Sequence, residues 1–334
     1  MTEYHNRQYR LAARPVGLPK RTDWDFVEEP ARVPGEGEVL VGVEYISLDP
    51  AMRGWMNEGK SYVPPVKIGE VMRALAVGKV LESQAEGLAP GDYVSGGFGI
   101  QAFATVPAKA CTKIDVSIAP LPVYLNVLGM TGMTAYFGLL DVGAPKAGET
   151  VVVSGAAGAV GATVGQIAKI KGCRVVGIAG GAEKCGYLTG ELGFDAAVDY
   201  KAGDLRTALK AACPDGIDVY FDNVGGEILE VCLSLINLHA RIVICGAISQ
   251  YNATSAPKGP ANYLSLLVNR AKMQGMIVFD YADRYHEAAR EMGGWMAAGK
   301  LKGREDIVEG LETFPETLLK LFTGENNGKL VLKV

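Results

Sequence analysis

One stretch constrains this chain more than any other: TVVVSGAAGAVGATVGQIAKIKG, residues 150–172. It reads as a buried strand, a bend of small residues and an apolar helix. Gly155, Gly158 and Gly161 stand three apart, G-x-x-G-x-x-G, one position away from the common G-x-G-x-x-G pattern, with Ala156 and Ala157 in the middle of the bend. Glycine is needed where a backbone turns sharply and approaches a pyrophosphate closely, and the positive end of the following helix favours the phosphate charge. Together with Ala157, Ala159 and Val160, the three glycines form a candidate phosphate cradle. The other reading is an ordinary strand–helix turn with incidental glycines.

The segment after the helix bears on that choice. About twenty residues beyond the bend, folds that take NAD place an acidic residue against the adenosine ribose hydroxyls. Here the second strand ends VVGIAGGAEK: Gly180 and Gly181 leave room, no carboxylate occupies the strand end, and Lys184 opens the next helix. A lysine can form a charge-assisted hydrogen bond to a 2′-phosphate that an acid would repel, so the expected cofactor is NADP(H); the neighbouring Glu183 counts against this unless it faces solvent. The other reading of Lys184 is a solvated helix lysine.

After Leu128 strand-like and helix-like runs alternate. Strands are expected at 150–154, 174–179, 196–199, 217–221, 241–245 and 273–279, and helices at 159–171, 183–192, 205–212 and 227–235. Such alternation predicts a parallel sheet with helices on both faces, and six strands is the dinucleotide-binding complement. Before it, from Arg10 to about Phe103, short apolar bursts broken by glycine and proline read as strands of a partly closed β structure. A helix is expected at 284–298. The closing LVLKV reads as a strand returning to this first domain, because an antiparallel β domain can pair a lone strand and a doubly wound sheet has no place for it.

At 334 residues the chain is long enough for two domains. A formal net charge of −4 gives no general attraction for nucleic acid or anionic lipid. The polar start MTEYHNRQYRLAARP carries no signal-peptide apolar run, and no later run approaches a membrane span, so a cytoplasmic protein is expected. The six cysteines lack zinc-site spacing and read mostly as buried thiols.

Five further segments, LDPAMR, GMTGMTAY, DNVGGE, CGAISQYN and NNGKLVLKV, flank the glycine bend in order. With them the chain resembles, nearly end to end, the zinc-free medium-chain dehydrogenase/reductases of the leukotriene hydroxydehydrogenase/prostaglandin reductase branch, which includes plant double-bond reductases and bacterial curcumin-reductase-like enzymes. The resemblance implies an α/β chain: a GroES-like β domain (1–127 and 308–334) and an inserted Rossmann domain (128–307) with a doubly wound six-stranded parallel sheet, the active site in the cleft between them, and a homodimer. Zinc-dependent relatives place a cysteine ligand in the segment matching SLDPAMR and Gly-His-Glu where this chain has GEVMRAL; neither is present, and His5, His239 and His286 lie elsewhere. No metal is therefore expected. Alcohol oxidation would lack the Lewis acid that stabilises an alkoxide.

The implied reaction is NADPH-dependent reduction of the C=C bond of an α,β-unsaturated ketone or aldehyde, with hydride delivered to the β-carbon and charge collecting on the carbonyl oxygen. Tyr251 is the implied donor to that oxygen; its other reading is a tyrosine that caps a loop and packs on the cofactor. Carried over from the family, Met130 and Thr134 lie near the nicotinamide, Lys184 and Tyr200 at the adenosine phosphate, and Asn223 beside the ribose–nicotinamide linkage. Cys245 and Ser249 line the same groove, Val278 and Phe279 reach the nicotinamide from the sixth strand, and Asn326 closes over the pyrophosphate. Tyr45, Ala51, Arg53 and Tyr62 are the candidate substrate pocket, Ala51 and Phe279 being departures from tyrosines found in other members. Arg53 has a second reading as the structural partner of Asp49, and Tyr45, Tyr62 and Tyr136 have one as plain packing. Two rival functions share the groove: an NADPH quinone reductase and a non-catalytic NADPH-binding protein.

Overall fold

The structure is a computed structural model that describes residues 4–334, so the first three residues of the polar start lie outside the described residues. The chain divides into two compact units, one of Met1–Leu125 with Glu305–Val334, the other of Asn126–Arg304.

In the first unit the long strand Glu38–Ser47 is the organiser. It pairs antiparallel with Ala76–Ser83, Phe103–Pro107 and the chain's last strand, Lys329–Lys333. Val39, Leu40 and Val41 are all buried, as expected of a strand covered on both faces. The last strand also pairs in parallel with Glu305–Glu309. That pairing places residues 305–307 in this unit, although the family resemblance assigns them to the other. Asn126 and Val127 move the opposite way: the Asn126 carbonyl accepts from Gly129 N, Gly132 N and Thr131 Oγ1, and Val127 packs in the second unit's core.

The second unit is built on six parallel strands, labelled within that sheet as β1 (Thr150–Ser154), β2 (Arg174–Ala179), β3 (Ala196–Asp199), β4 (Ile217–Asp222), β5 (Ile236–Ile244) and β6 (Lys272–Gly275). Their order across the sheet is β3-β2-β1-β4-β5-β6, that of dinucleotide-binding folds. The connecting helices are α1 (Ala159–Ile170), α2 (Ala182–Gly190), α3 (Leu205–Ala212) and α4 (Gly226–Leu233), with α5 (Tyr285–Ala297) after the last strand. Strand alternation divides the core between two faces. Val151 and Val153 pack with Phe137, Val164 and Ile167, whereas Val152 packs with Leu209, Leu229 and Cys232.

Two strands differ from the sequence expectation. β5 starts at Ile236, five residues before the expected Arg241, and passes through His239 at φ +64° with a register irregularity opposite Ile217/Val219. β6 stops at Gly275, and Val278–Arg284 is a 3-10 turn. Val278 and Phe279 are therefore not on the sixth strand as expected. The backbone leaves the sheet because the Val278 carbonyl accepts from the Tyr285 hydroxyl (3.0 Å) and Asp280 N closes a turn on Ile277. No described helix is long and apolar enough to cross a membrane.

Candidate functional site: the strand-end crevice of the second unit

β1 and β4 are neighbours in the sheet, and the strand order reverses between them. In open α/β sheets ligands bind beyond the carboxyl ends of the strands at such a point. Gly155 leaves β1 at φ +58°, and Gly158 begins α1 with no side chain to cap it, its own N–H donating to Gly155 O (3.0 Å). The first-turn N–H groups of α1 have no partner inside the helix and face the strand ends. Gly161 lets the helix close on the bend: a Cβ there would run into the carbonyl oxygen of Gly155 and lie 2.8 Å from Ala156 Cα. Gly161 is thus the point where the helix packs directly on the backbone of the bend, with no side chain between them.

Asn223 comes directly after β4 and is tied to β1. Its Nδ2 donates to Ser154 O (2.8 Å) and its backbone N–H to Ser154 Oγ (2.9 Å), so the two turns form one edge. Gly225 and Gly226 continue at φ +71° and +59°. The turn after β5 joins them: Ser249 Oγ donates to Val224 O (2.6 Å), and the N–H groups of Cys245 and Gly246 donate to Asp222 O. Tyr251 folds back over Gly246, and its hydroxyl oxygen accepts from Ala247 N (3.1 Å). Cys245 offers no nucleophile, since burial, helped by the charge of Asp222, pushes its thiol up to about 12.

The other end of the edge lies beyond β2 and β3. Pairing sets Asp199 beside Ala179, so Gly180 meets Tyr200 and Lys201: a Cβ on Gly180 would lie 2.9 Å from both the Tyr200 ring and Lys201 Cε. The Asp199 carboxylate accepts from Gly181 N and Lys201 N, and these bonds hold it below the usual carboxylate range. The expectation of a missing acid is refined by this, because Asp199 is present nearby but spent on backbone. Lys184 lies in the first turn of α2. Lys201, whose ammonium stands 5.8 Å from the Tyr200 ring centre, is a cation that sequence reasoning missed. Its only signal was adjacency to Tyr200, which acquires meaning once β2 and β3 pair.

Met130 and Thr134 lie on the helix Met130–Phe137, where Thr134 Oγ1 donates to Met130 O (2.7 Å) and Gly132 packs against the backbone of Val127. Tyr136 is a packing residue: its hydroxyl donates to Glu291, and burial together with that carboxylate raises its pKa. Val278 is buried and Phe279 is 44% exposed.

The remaining candidates belong to the first unit. Arg53 is buried and donates to Pro15 O (2.9 Å), Gly17 O (3.1 Å) and Asn57 Oδ1 (2.6 Å). Asp49 pairs instead with the buried Lys329 (2.6 Å) and accepts from Ser47 Oγ. Tyr62 accepts from Trp55 Nε1 (3.0 Å), Asn326 Nδ2 donates to Gly328 O (2.9 Å), and Tyr45 and Ala51 are half-buried. Among the described residues no group of three or more His, Cys, Asp or Glu is placed to hold a metal ion.

Strand order, glycine cradle and strand-end turns define a dinucleotide-binding α/β unit, and comparison with known proteins agrees. Residues 7–114 match the family described as the N-terminal domain of oxidoreductase, and residues 159–293 the family described as zinc-binding dehydrogenase. A putative NADP-dependent oxidoreductase, YfmJ, of Bacillus subtilis is 53% identical over 98% of this chain and 97% of its own length. The NADPH-dependent curcumin reductase of Escherichia coli is 47% identical over the same shares. The crystal structure of CurA from Vibrio vulnificus in complex with NADPH superposes with a TM-score of 0.93 at 45% identity, covering 98% of this chain and 99% of that one. The chain belongs to the zinc-free medium-chain dehydrogenase/reductase family of NADP-dependent oxidoreductases.

Proposed function

We propose that this protein uses NADPH to reduce the C=C bond of α,β-unsaturated ketones and aldehydes. The observation that carries the reading is the edge where the glycine cradle, Asn223 and the 245–251 turn meet, with Tyr200 and Lys201 packed around Gly180 at its far end. That the E. coli relative is an NADPH-dependent curcumin reductase supports the substrate class.

The residues present fit the dinucleotide. The first-turn N–H groups of α1 and the bare backbone of 155–161 hold the pyrophosphate. Lys184 and Tyr200 hold the 2′-phosphate, with Gly180 letting Tyr200 pack close to the strand end. Asn223, fixed through Ser154, lies at the ribose–nicotinamide linkage, and Met130, Thr134, Cys245, Ser249, Val278 and Phe279 border the nicotinamide. When bound, NADPH supplies the hydride that adds to the β-carbon of the substrate. Negative charge then develops on the substrate carbonyl oxygen, and Tyr251, oriented by the bond from Ala247 N, donates to that oxygen. The α-carbon takes its proton from Tyr251 or from water.

The test is a panel of 3-nonen-2-one, an alkenal and a naphthoquinone, each with NADPH and with NADH, followed by the absorbance of the reduced cofactor and by product mass. Saturated ketone formed preferentially with NADPH is the expected result. Faster turnover of the quinone than of any enone, or no oxidation with any acceptor, would sink the proposal.

A further inference from the structure

We propose that Asp222 is a positioning residue of the nucleotide site, setting the turn that carries Asn223 through one buried carboxylate oxygen without touching cofactor or substrate. The proposal rests on reading that turn as the place where the nicotinamide ribose binds.

Asp222 ends β4 and is 1% exposed. Its Oδ1 accepts from the hydroxyls of Ser154 (3.0 Å) and Tyr220 (2.7 Å) and from the backbone N–H groups of Val224 (3.0 Å) and Gly225 (2.8 Å), while Oδ2 has no partner among the described residues. Its main-chain carbonyl takes Cys245 N (2.9 Å) and Gly246 N (3.1 Å). Three turns therefore converge on one residue: the glycine bend through Ser154, the turn after β4 through Val224 and Gly225, and the turn after β5 through its backbone.

Burying a carboxyl group costs free energy unless its acceptors are used, and an apolar side chain would suit the sheet interior better. What the carboxylate supplies is a choice of conformation. Gly225 and Gly226, both at positive φ, leave the turn many alternatives, and an acceptor that gathers two successive N–H groups selects one of them. In that conformation the Asn223 amide meets Ser154 O, and Val224 O is turned to receive Ser249. Because all the accepting is done by Oδ1, an asparagine can reproduce it.

The test compares Asp222→Ala, Asp222→Asn and Ser154→Ala with the wild-type chain, using two probes: NADPH and adenosine 2′,5′-bisphosphate, which carries only the adenosine end. Alanine at 222 is expected to weaken NADPH about tenfold or more and to leave the bisphosphate within about twofold, with asparagine restoring NADPH to within about threefold. Ser154→Ala, which removes one hydroxyl and leaves the carboxylate in place, is expected to weaken NADPH about threefold and the bisphosphate not at all, so the proposal is tested even if Asp222→Ala does not fold. Equal weakening of both probes would mean that the carboxylate merely supports the fold, and unchanged NADPH affinity in the alanine variants would equally overturn the proposal. Wild-type protein that binds neither probe would instead overturn the nucleotide-site reading beneath it.

Discussion

Gly161 stands so close to Gly155 that the carbonyl oxygen of Gly155 occupies the space a side chain at 161 would need. The bend and the helix after it are held together by the absence of one methyl group. Gly161→Ala forces the backbone apart, with an expected cost of about 1–3 kcal/mol. Thermal unfolding and NADPH fluorescence titration check this together: a melting point several degrees lower and an NADPH affinity reduced by more than about tenfold are expected. A variant that binds NADPH normally would show that the cradle is not where the pyrophosphate lies.

Lys184 supplies the charge proposed for the 2′-phosphate. Lys184→Ala should lower kcat/KM with NADPH by about tenfold to a hundredfold, since a charge-assisted hydrogen bond contributes about 1.5–3 kcal/mol, and should leave NADH turnover unchanged. Steady-state kinetics with both cofactors give the answer. Retention of some NADPH preference in this variant would assign the residual discrimination to Lys201, and Lys184→Ala/Lys201→Ala should then abolish it.

Tyr251→Phe separates chemistry from binding. Removing the hydroxyl is expected to lower kcat on 3-nonen-2-one by about tenfold to a hundredfold. The same change deprives Ala247 N of its acceptor, so the KM for NADPH must be measured alongside. A rise in KM with kcat preserved would make Tyr251 a loop cap and remove it from the chemistry.

Arg53 behaves as an anchor. Its guanidinium gathers the carbonyls of Pro15 and Gly17 with the Asn57 amide, and Arg53→Met leaves a buried carbonyl at Pro15 and a half-buried one at Gly17 without this donor. The expected loss is on the order of 3 kcal/mol of stability, read by denaturant unfolding. Unchanged stability with a raised enone KM would return Arg53 to the substrate pocket.

Much of this is legible in the sequence because the second unit announces itself by period and by punctuation. β1, β2 and β3 fall where the apolar runs place them, and glycine breaks mark the turns. The pattern misleads at β5 and β6. Arg241 reads as a strand start because Asn237, His239 and Arg241 interrupt the apolar pattern, yet backbone pairing with β4 carries the strand back to Ile236. The run through Phe279 reads as continuous, but Val278 turns out of the sheet to meet Tyr285, a residue on another element that no local pattern reveals.

The same division holds for the site. By itself the sequence determined which residues are too small to obstruct a phosphate, that no acid side chain guards the end of the second strand, and which family of chains shares these motifs in this order. Those properties are written in residue type and spacing. Only the tertiary structure decided that Asp199 spends its carboxylate on backbone, that Lys201 joins Tyr200 beside Gly180, that Asp49 takes Lys329 while Arg53 takes the 15–17 backbone, and that three turns gather on Asp222. Each depends on partners far apart in the chain, and a hydrogen bond is directional and short, so its partner is fixed by where the folded backbone places the atoms.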